Sequence, residues 1–286
     1  MLTTLETDHL DCYRDLDDIK GAFIQFANKV PFYGFIVLCL DEPALQDIMP
    51  RLNKKKTITY GMNPQADIQA LDLRFKENSS TFVVLKDKRE LGEISLQIPG
   101  RHNVQNALAA IAVGLELGIP FAGAKDGIEK FTGVYRRWEK KGEVKGIAVY
   151  DDYAHHPTEC RATLSGVKAG WRRRVVCVFQ PHLYSRTRDF CEEFAKSFLL
   201  SDVLVVTDVY PAREEPIQGV TGEMVVNAAK EYGHKDATYL ADKKAVPAML
   251  MKITKPGDIV ITMGAGDIWK YGEDFLKQLN NKKPNS

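Results

Sequence analysis

Residues 146–157 read Gly-Ile-Ala-Val-Tyr-Asp-Asp-Tyr-Ala-His-His-Pro. The run that ends at Tyr150 is apolar throughout, which is typical of a strand buried on both faces. Pro157 suits the first position of a helix, where the N–H that proline lacks has no partner to lose. A buried strand, a polar turn and a helix form the repeating unit of a parallel α/β sheet, so this stretch predicts an α/β fold.

The alternation of strands and helices continues from this stretch to the end of the chain. We predict strands at residues 146–150, 174–179, 203–207, 238–240 and 258–263, and helices from residue 157, from residue 188, and over residues 222–232, 243–253 and 267–279. This pattern indicates a Rossmann-like, mostly parallel sheet with helices on both of its faces.

The first part of the chain has a different pattern. Strand-like runs lie at residues 35–40, 57–60, 68–75, 81–85 and 93–98, followed by helical spacing over residues 103–117. These elements indicate a partial domain with a mixed sheet and helices. The two patterns meet within residues 132–142, so we predict one domain over residues 1–134 and a second over residues 135–286.

The composition argues against several classes of protein. The 39 basic and 38 acidic side chains nearly cancel, so we expect neither a nucleic-acid partner nor a membrane surface. There is no apolar run of about 18 residues and no secretory signal, which makes the cytoplasm the expected compartment. The five cysteines are odd in number and widely spaced, so we expect reduced core thiols.

Polar side chains follow four of the predicted parallel strands. After these strands come, in order, Asp151, Asp152, Tyr153 and His155, then His182 and Arg186, then residues 208–214, and then residues 264–267. Ligands bind at the carboxyl ends of parallel strands, so the sequence predicts an active-site cleft along this edge. In the alternative interpretation, the aspartates cap the chain turns and the histidines only pack.

Two groups in the first domain carry candidate binding residues. His9 lies among the acidic residues 6–11, which suit Mg²⁺ or, alternatively, a solvated helix start. His102, Asn103 and Asn106 begin the predicted helix and can meet the edge of a heterocycle. Asn103 can equally be a helix cap.

Arg136 and Arg137 form a basic pair at the domain boundary. Guanidinium groups match phosphate oxygens, although basic pairs in loops are often only solvated. The sequence contains no Gly-x-x-x-x-Gly-Lys-Ser/Thr loop, so the chain does not itself supply the usual cradle for ATP phosphates.

Taken together, these motifs resemble the Mur ligase family over essentially the whole chain. The resemblance implies ATP and Mg²⁺ as cofactors, with His9 as a metal ligand. It further implies nucleotide-binding residues, namely His102, Asn103, Asn106, Arg136, Arg137, Asp151 and Asp152.

Within the family, residues 180–188 are similar to the enzyme that adds L-alanine to UDP-N-acetylmuramate. The resemblance implies that Tyr153, His155 and Arg186 line the L-alanine pocket and are catalytic, and that His182 also binds substrate. Leu183 departs from the family pattern, which often has arginine there, so one contact to the amino acid is lost or supplied elsewhere.

The resemblance implies a reaction in which ATP phosphorylates the muramate carboxylate and the alanine amine attacks the acyl phosphate. Family members carry a UDP-sugar domain and a phosphate loop upstream of the matching region. We therefore expect a truncated ligase that is inactive alone. The alternatives are an inactive nucleotide- and amino-acid-binding module, one half of a split ligase with a separate N-terminal half, and a tripeptide-recycling ligase.

Overall fold

The structure is a computed structural model and describes residues 1–8, 12–53 and 55–281. The chain divides into two compact units, Met1–Thr132 and Gly133–Ser286. Each unit is built around a sheet of its own, with five strands in the first and six in the second.

The first unit contains a mixed sheet. Its strands, in the order in which they lie side by side, are β1 (Phe35–Cys39), β2 (Lys56–Gly61), β3 (Ile68–Lys76), β4 (Ser79–Lys86) and β5 (Arg89–Leu96). The pairs β1/β2 and β2/β3 are parallel, whereas β3/β4 and β4/β5 are antiparallel hairpins. The predicted mixed sheet is therefore confirmed.

Four α-helices accompany this sheet within the described residues. They are α1 (Leu16–Asn28), α2 (Pro43–Ile48), which continues into a short 3-10 helix (Met49–Arg51), α3 (Arg101–Glu116) and α4 (Phe121–Glu129). Helix α3 buries Val104, Leu108 and Ile111 in the core of the unit. The sequence pattern predicts α3 but not the other three helices. Helices α2 and α4 are short, whereas α1 has apolar residues at helical spacing, so its omission was an error of prediction.

Helix α3 begins earlier than its apolar spacing predicts. Gly100 precedes its first residue with φ +99°, a left-handed conformation that glycine adopts without strain, and this turn starts the helix at Arg101. Asn103 does not cap the helix, because its side-chain amide instead donates to the Pro99 carbonyl at 2.6 Å. The interpretation of Asn103 as the cap is therefore wrong.

The second unit contains a nearly parallel sheet. Its strands in chain order are β6 (Glu139–Val144), β7 (Ile147–Asp152), β8 (Val175–Phe179), β9 (Val203–Thr207), β10 (Ala237–Leu240) and β11 (Ile259–Met263). They lie side by side in the order β10-β9-β8-β11-β7-β6, and only β6 is antiparallel to its neighbour. The predicted mostly parallel sheet is confirmed, and β6 is an additional edge strand that the sequence pattern does not predict.

Helices cover both faces of the second sheet. They are α5 (Pro157–Gly170), α6 (Tyr184–Asp189), α7 (Cys191–Phe198), α8 (Gly222–Glu231), α9 (Val246–Ile253) and α10 (Trp269–Asn281). One hydrophobic cluster packs Cys177 of β8 against Phe194, and the other packs its neighbour Val176 with Phe275. Because adjacent strand residues point to opposite faces, these two clusters confirm the predicted layers. No helix in the described ranges is long and apolar enough to cross a membrane.

Two predicted helices of this unit are divided in the structure. The helix expected from residue 188 is two short helices, α6 and α7, which are separated at Phe190. The helix expected from Lys243 begins as a 3-10 turn over Lys243–Ala245 before α9.

The five cysteines are all free thiols. Cys39, Cys160 and Cys177 are buried, as expected for core thiols, whereas Cys12 is exposed and Cys191 is partly buried. The expectation of core thiols is therefore wrong for Cys12.

Candidate active site

The carboxyl ends of β7, β11, β8 and β9 lie along one edge of the second sheet. We call the ends of these strands and the segments that follow them the rim, which comprises residues 151–156, 264–267, 180–188 and 208–214. Four aromatic and imidazole rings meet there. The ring centroids of Tyr153 and His155 are 5.3 Å apart, those of His155 and His182 are 5.6 Å apart, and those of His182 and Tyr210 are 5.9 Å apart. The rim thus brings together side chains from three different strand ends.

His182 and Arg186 lie on either side of a strained turn. Leu183 has φ +70°, a left-handed conformation that leucine rarely adopts, and its N–H donates to the Tyr210 carbonyl at 3.1 Å. Its carbonyl accepts from the Thr187 hydroxyl at 2.7 Å. The Arg186 side chain is buried, with Nη1 3.5 Å from His182 Nδ1. The turn therefore places a guanidinium and an imidazole side by side.

Both rim histidines ionise less readily than histidine in water. Burial, together with the charges of His155 and Arg186, lowers the pKa of His182 to about 4. Burial also lowers the pKa of His155, although the Glu159 carboxylate acts in the opposite direction. At neutral pH both rings are therefore uncharged, and each can accept a proton or a hydrogen bond.

Glu159, in the first turn of α5, holds the end of the β7 segment. One carboxylate oxygen accepts from the backbone N–H groups of His155 at 2.9 Å and His156 at 3.2 Å. The other oxygen accepts from Arg137 Nη1 at 3.1 Å. Burial alone would raise the pKa of Glu159, but the hydrogen bond from His155 and the nearby positive charges lower it. Glu159 is therefore a charged anchor for His155.

The two aspartates at the end of β7 face protein groups. Asp151 is fully buried and accepts from Arg136 Nε at 2.9 Å and from the Thr262 hydroxyl at 2.7 Å. Asp152 accepts from three donors, which are Ala154 N at 2.9 Å, Trp138 N at 3.1 Å and Thr163 Oγ1 at 3.1 Å. Burial raises the pKa of both carboxyls, that of Asp152 to about 6. Both side chains thus stabilise the turn from which Tyr153 and His155 project.

Arg136 and Arg137 occupy different environments. Arg136 is buried, and its Nη1 and Nη2 atoms donate to the carbonyls of Gly266 at 3.0 Å and Gly264 at 2.6 Å. The Arg137 side chain is 48% exposed. The Tyr153 ring contacts both guanidinium groups, with its centroid 4.9 Å from Arg136 Cζ and 5.4 Å from Arg137 Cζ. Of this pair, only Arg137 is exposed to an anion arriving from solvent.

The turn after β11 is packed tightly against its neighbours. A Cβ atom on Gly264 would lie 2.6 Å from the Gln180 carbonyl oxygen, and one on Gly266 would lie 2.8 Å from Tyr210 Cδ2. The Gln180 side chain also accepts from the Asp267 N–H at 3.1 Å. Close approach of the backbone therefore explains the glycines, as expected for a tight turn.

The predicted nucleotide residues of the first unit lie at the start of α3. Asn106 is exposed, while His102 and Asn103 are partly buried. Between them, Gln105 Nε2 donates to Asp41 Oδ2 at 2.9 Å. Asp41 also accepts from the Met62 N–H at 2.9 Å, so these contacts fix the start of α3 to the ends of β1 and β2.

The predicted Mg²⁺ ligand, His9, lies outside the described residues. Among the residues that the structure describes, no group of three or more His, Cys, Asp or Glu side chains is arranged to hold a metal ion. The described residues alone thus do not form a metal centre.

Comparison with protein families agrees with this geometry. Residues 1–114 match the Mur ligase middle domain, and residues 136–266 match the Mur ligase glutamate ligase domain. The chain belongs to the Mur ligase family.

Individual relatives support the same assignment. This Mur ligase chain is 53% identical over 279 residues to a UDP-N-acetylmuramate–L-alanine ligase of Geotalea uraniireducens, covering 98% of this chain and 61% of that protein. It is 28% identical to the crystal structure of the UDP-N-acetylmuramate-alanine ligase MurC from Thermotoga maritima, with a TM-score of 0.75 and coverage of 97% of this chain and 58% of that one.

A MurF ligase from Thermotoga maritima, solved in complex with ADP, shares the fold. It has a TM-score of 0.76 at 18% identity and covers 97% of this chain and 62% of that one. The present Mur ligase chain spans about three fifths of the length of the curated relatives that it matches.

Three residues that lie in the rim of this Mur ligase chain or contact it were absent from the predicted site residues. Glu159 could have been predicted from the sequence, because a glutamate at the third position of a helix commonly accepts a hydrogen bond from the backbone N–H that precedes the helix. Tyr210 follows a predicted strand and belonged to the expected edge. Thr262 lies inside β11 and has no local signal, because only the sheet order brings it beside Asp151.

Proposed function

We propose that this chain is the part of an ATP-dependent ligase that binds nucleotide and L-alanine when L-alanine is joined to UDP-N-acetylmuramate. The observation that carries this proposal is the convergence of Tyr153, His155, His182 and Arg186 on one rim. Sequence identity of 53% to a relative with that name supports it. In this proposal, residues 1–134 are the C-terminal half of the central ATP-binding domain and residues 135–286 are the C-terminal domain.

The complete enzyme would form the amide through an acyl phosphate. ATP transfers its terminal phosphoryl group to the muramate carboxylate, the alanine amine attacks that carbonyl, and the tetrahedral intermediate releases phosphate. Such a reaction depends mainly on positioning and on neutralising charge. We assign Arg186 to the alanine carboxylate, because a buried guanidinium at a strand end forms two parallel hydrogen bonds to such a group.

His155 is suited to accept the proton of the attacking amine. Its Nδ1 atom lies 3.0 Å from the Tyr153 carbonyl oxygen, which can only accept, so we assign the ring proton to Nδ1. This tautomer leaves Nε2 as the basic atom. The lowered pKa of His155 keeps that atom unprotonated at neutral pH. Tyr153 contacts the edge of the ring and holds it in place.

We assign nucleotide binding to both units. His102, Asn103 and Asn106 would meet the adenine, while Arg137 would meet a phosphate. Asp151, Asp152 and Arg136, which the family resemblance also assigns to the nucleotide, contact protein groups, so they would act on the site indirectly through those contacts. Mg²⁺, with His9 as a ligand, would supply charge neutralisation when bound. We propose the cytoplasm as the compartment, with neither nucleic acid nor membrane as a partner.

A second candidate function follows from the length of the matched relatives. The chain spans about three fifths of them, so it could act as one half of a split ligase with a separate N-terminal half, or as a binding module without turnover.

A tripeptide-recycling ligase is the alternative within the family. Assays that compare L-alanine with a tripeptide as the second substrate separate these two ligases.

Calorimetric titration of the chain with ATP and Mg²⁺ tests the proposed nucleotide site. We expect measurable binding that weakens about tenfold in Asn106→Ala, because the amide has lost its contacts to the adenine edge. Asn227→Ala, at an exposed asparagine on α8, is the matched control and should leave the affinity unchanged. A titration without heat change would contradict nucleotide binding by this chain.

A further inference from the structure

We infer that Arg136 is a positioning residue for the amino-acid pocket, and that the two adjacent arginines therefore have separate roles. The inference rests on the proposed function, because it concerns the pocket assigned above to L-alanine. It differs from the expectation that both arginines contact phosphate.

Arg136 forms hydrogen bonds to the β7 side of the rim through both its backbone and its side chain. Its backbone carbonyl accepts from the Tyr153 N–H at 2.7 Å, and its Nε donates to the buried Asp151 carboxylate at 2.9 Å. The guanidinium lies 4.9 Å from the centre of the Tyr153 ring. Tyr153 in turn contacts His155 through its ring, and its carbonyl lies 3.0 Å from His155 Nδ1. The orientation of His155 thus depends on Arg136 through Tyr153.

The same guanidinium also contacts the middle of the rim. Its two terminal nitrogens donate to the carbonyls of Gly264 and Gly266, in the turn after β11. Strand β11 lies between β7 and β8, so this turn separates the two sides of the rim. Gly266 packs directly against Tyr210, whose ring is stacked on His182 at 5.9 Å. Arg136 therefore fixes the spacing between His155 and His182.

These contacts require a guanidinium rather than any cation. The group donates to three different acceptors at 3.0 Å or less, and a planar fork with five N–H donors can reach all of them at once. A lysine ammonium is a single point and cannot span the distance between Asp151 and both carbonyls. Movement of Arg136 toward a phosphate would also leave the buried Asp151 carboxylate without its hydrogen-bonded cation, which is costly. Arg137 is half exposed, and the carboxylate with which it pairs, that of Glu159, is 30% exposed rather than fully buried, so movement of Arg137 costs less.

The variants Arg136→Lys and Arg137→Lys test this division in the full chain. Each is labelled with ¹³C-histidine, and the readouts are the thermal midpoint and the nuclear Overhauser effect between the His155 and His182 rings. We expect Arg136→Lys to remain folded and to lose at least half of that signal. Arg137→Lys is the matched control and should retain it. A folded Arg136→Lys chain with an unchanged signal would overturn the inference.

A second variant covers the case in which Arg136→Lys does not fold. Asp151→Asn keeps the shape of the side chain but removes the charge that holds Arg136 Nε, so we expect the same loss of signal. A retained signal in that variant would also overturn the inference.

Kinetics of the reconstituted ligase supply a readout that a purely stabilising role would not change. Arg136→Lys should raise KM for L-alanine about tenfold or more and leave KM for ATP within about twofold, because only the alanine pocket is displaced. A raised KM for ATP with an unchanged KM for L-alanine would overturn the inference. If no ligase activity exists, the proposed function fails, but the ring contacts still decide the role of Arg136.

Discussion

Two neutral imidazoles beside a buried guanidinium give the rim its chemical character. In the proposed function, His155 takes a proton from the amine while Arg186 holds the carboxylate, and neither task requires an unusual functional group. The required property is a fixed spacing between the side chains, because amide formation through an acyl phosphate depends on the approach of the amine.

The ionisation of His182 leads to a prediction about stability and pH. The folded chain protonates His182 near pH 4 and the unfolded chain near 6.5, so the unfolded state binds more protons between these values. The free energy of unfolding contributed by this residue therefore falls as the pH falls through that range. When the pH is lowered from 7 to 4.5, we expect the free energy of unfolding of the unmodified chain to fall by about 1–2 kcal/mol more than that of His182→Gln, as measured in urea. Equal losses would contradict the assigned ionisation.

Gly264 supports a prediction about close packing. Alanine there would have to keep φ +144° and would place Cβ 2.6 Å from the Gln180 carbonyl oxygen. We expect Gly264→Ala to lower the free energy of unfolding by about 3 kcal/mol or more, as measured in urea. Gly219→Ala is the control, because φ is also positive at +79° but nothing lies within 4 Å. Gly219→Ala should lower the free energy of unfolding by only about 1 kcal/mol. Equal losses in the two variants would show that steric contact is not the cause.

At the scale of elements, the start of α5 connects helix formation to the site. The Glu159 carboxylate accepts from two N–H groups at this helix start and pairs with Arg137. Because its pKa is lowered in the fold, this stabilisation is present at neutral pH and is lost as the pH falls through that pKa.

We expect Glu159→Ala to lower the free energy of unfolding at pH 7 by about 1–2 kcal/mol. Glu223→Ala, at an exposed glutamate in the first turn of α8, is the matched control and should change it by less than about 0.5 kcal/mol. Chemical unfolding of both variants at pH 7 measures these values. A larger effect at Glu223 than at Glu159 would contradict the anchoring role.

The buried strands of the second unit were predictable because each is a short, mostly apolar run, which is typical of a strand buried on both faces. Strand β6 was not, since residues 139–144 read Glu-Lys-Lys-Gly-Glu-Val and carry no apolar alternation. It forms because the neighbouring edge of β7 has unpaired backbone groups. The start of α3 was also missed, because the left-handed turn at Gly100 depends on the path of the preceding segment.

The candidate site was predictable as an edge of the sheet but not in its details. Tyr153, His155 and His182 could be expected together, because the carboxyl ends of parallel strands share one edge. The different roles of Arg136 and Arg137 could not be read from two adjacent arginines. Arg136 has φ +57°, and burial of its side chain depends on acceptors more than 100 residues away, at Gly264 and Gly266.

At the scale of the whole chain, each unit has a hydrophobic core of its own. The clusters around Phe179 and around Val176 are built only from residues of the second unit. We therefore expect residues 133–281 to fold when expressed alone, with a cooperative thermal transition followed by circular dichroism. A fragment without such a transition would show that this core is not sufficient.

The central claim is that this chain holds L-alanine during amide formation, and the most direct test measures ADP release by a reconstituted ligase. The chain would be fused to the region of the Geotalea uraniireducens ligase that it does not span, with that intact ligase as the positive control. We predict ADP release that requires both UDP-N-acetylmuramate and L-alanine. Arg186→Ala should raise KM for L-alanine about tenfold or more, and the exposed Arg188→Ala should not. ADP release that is independent of L-alanine, or unaffected by Arg186→Ala, would contradict the account.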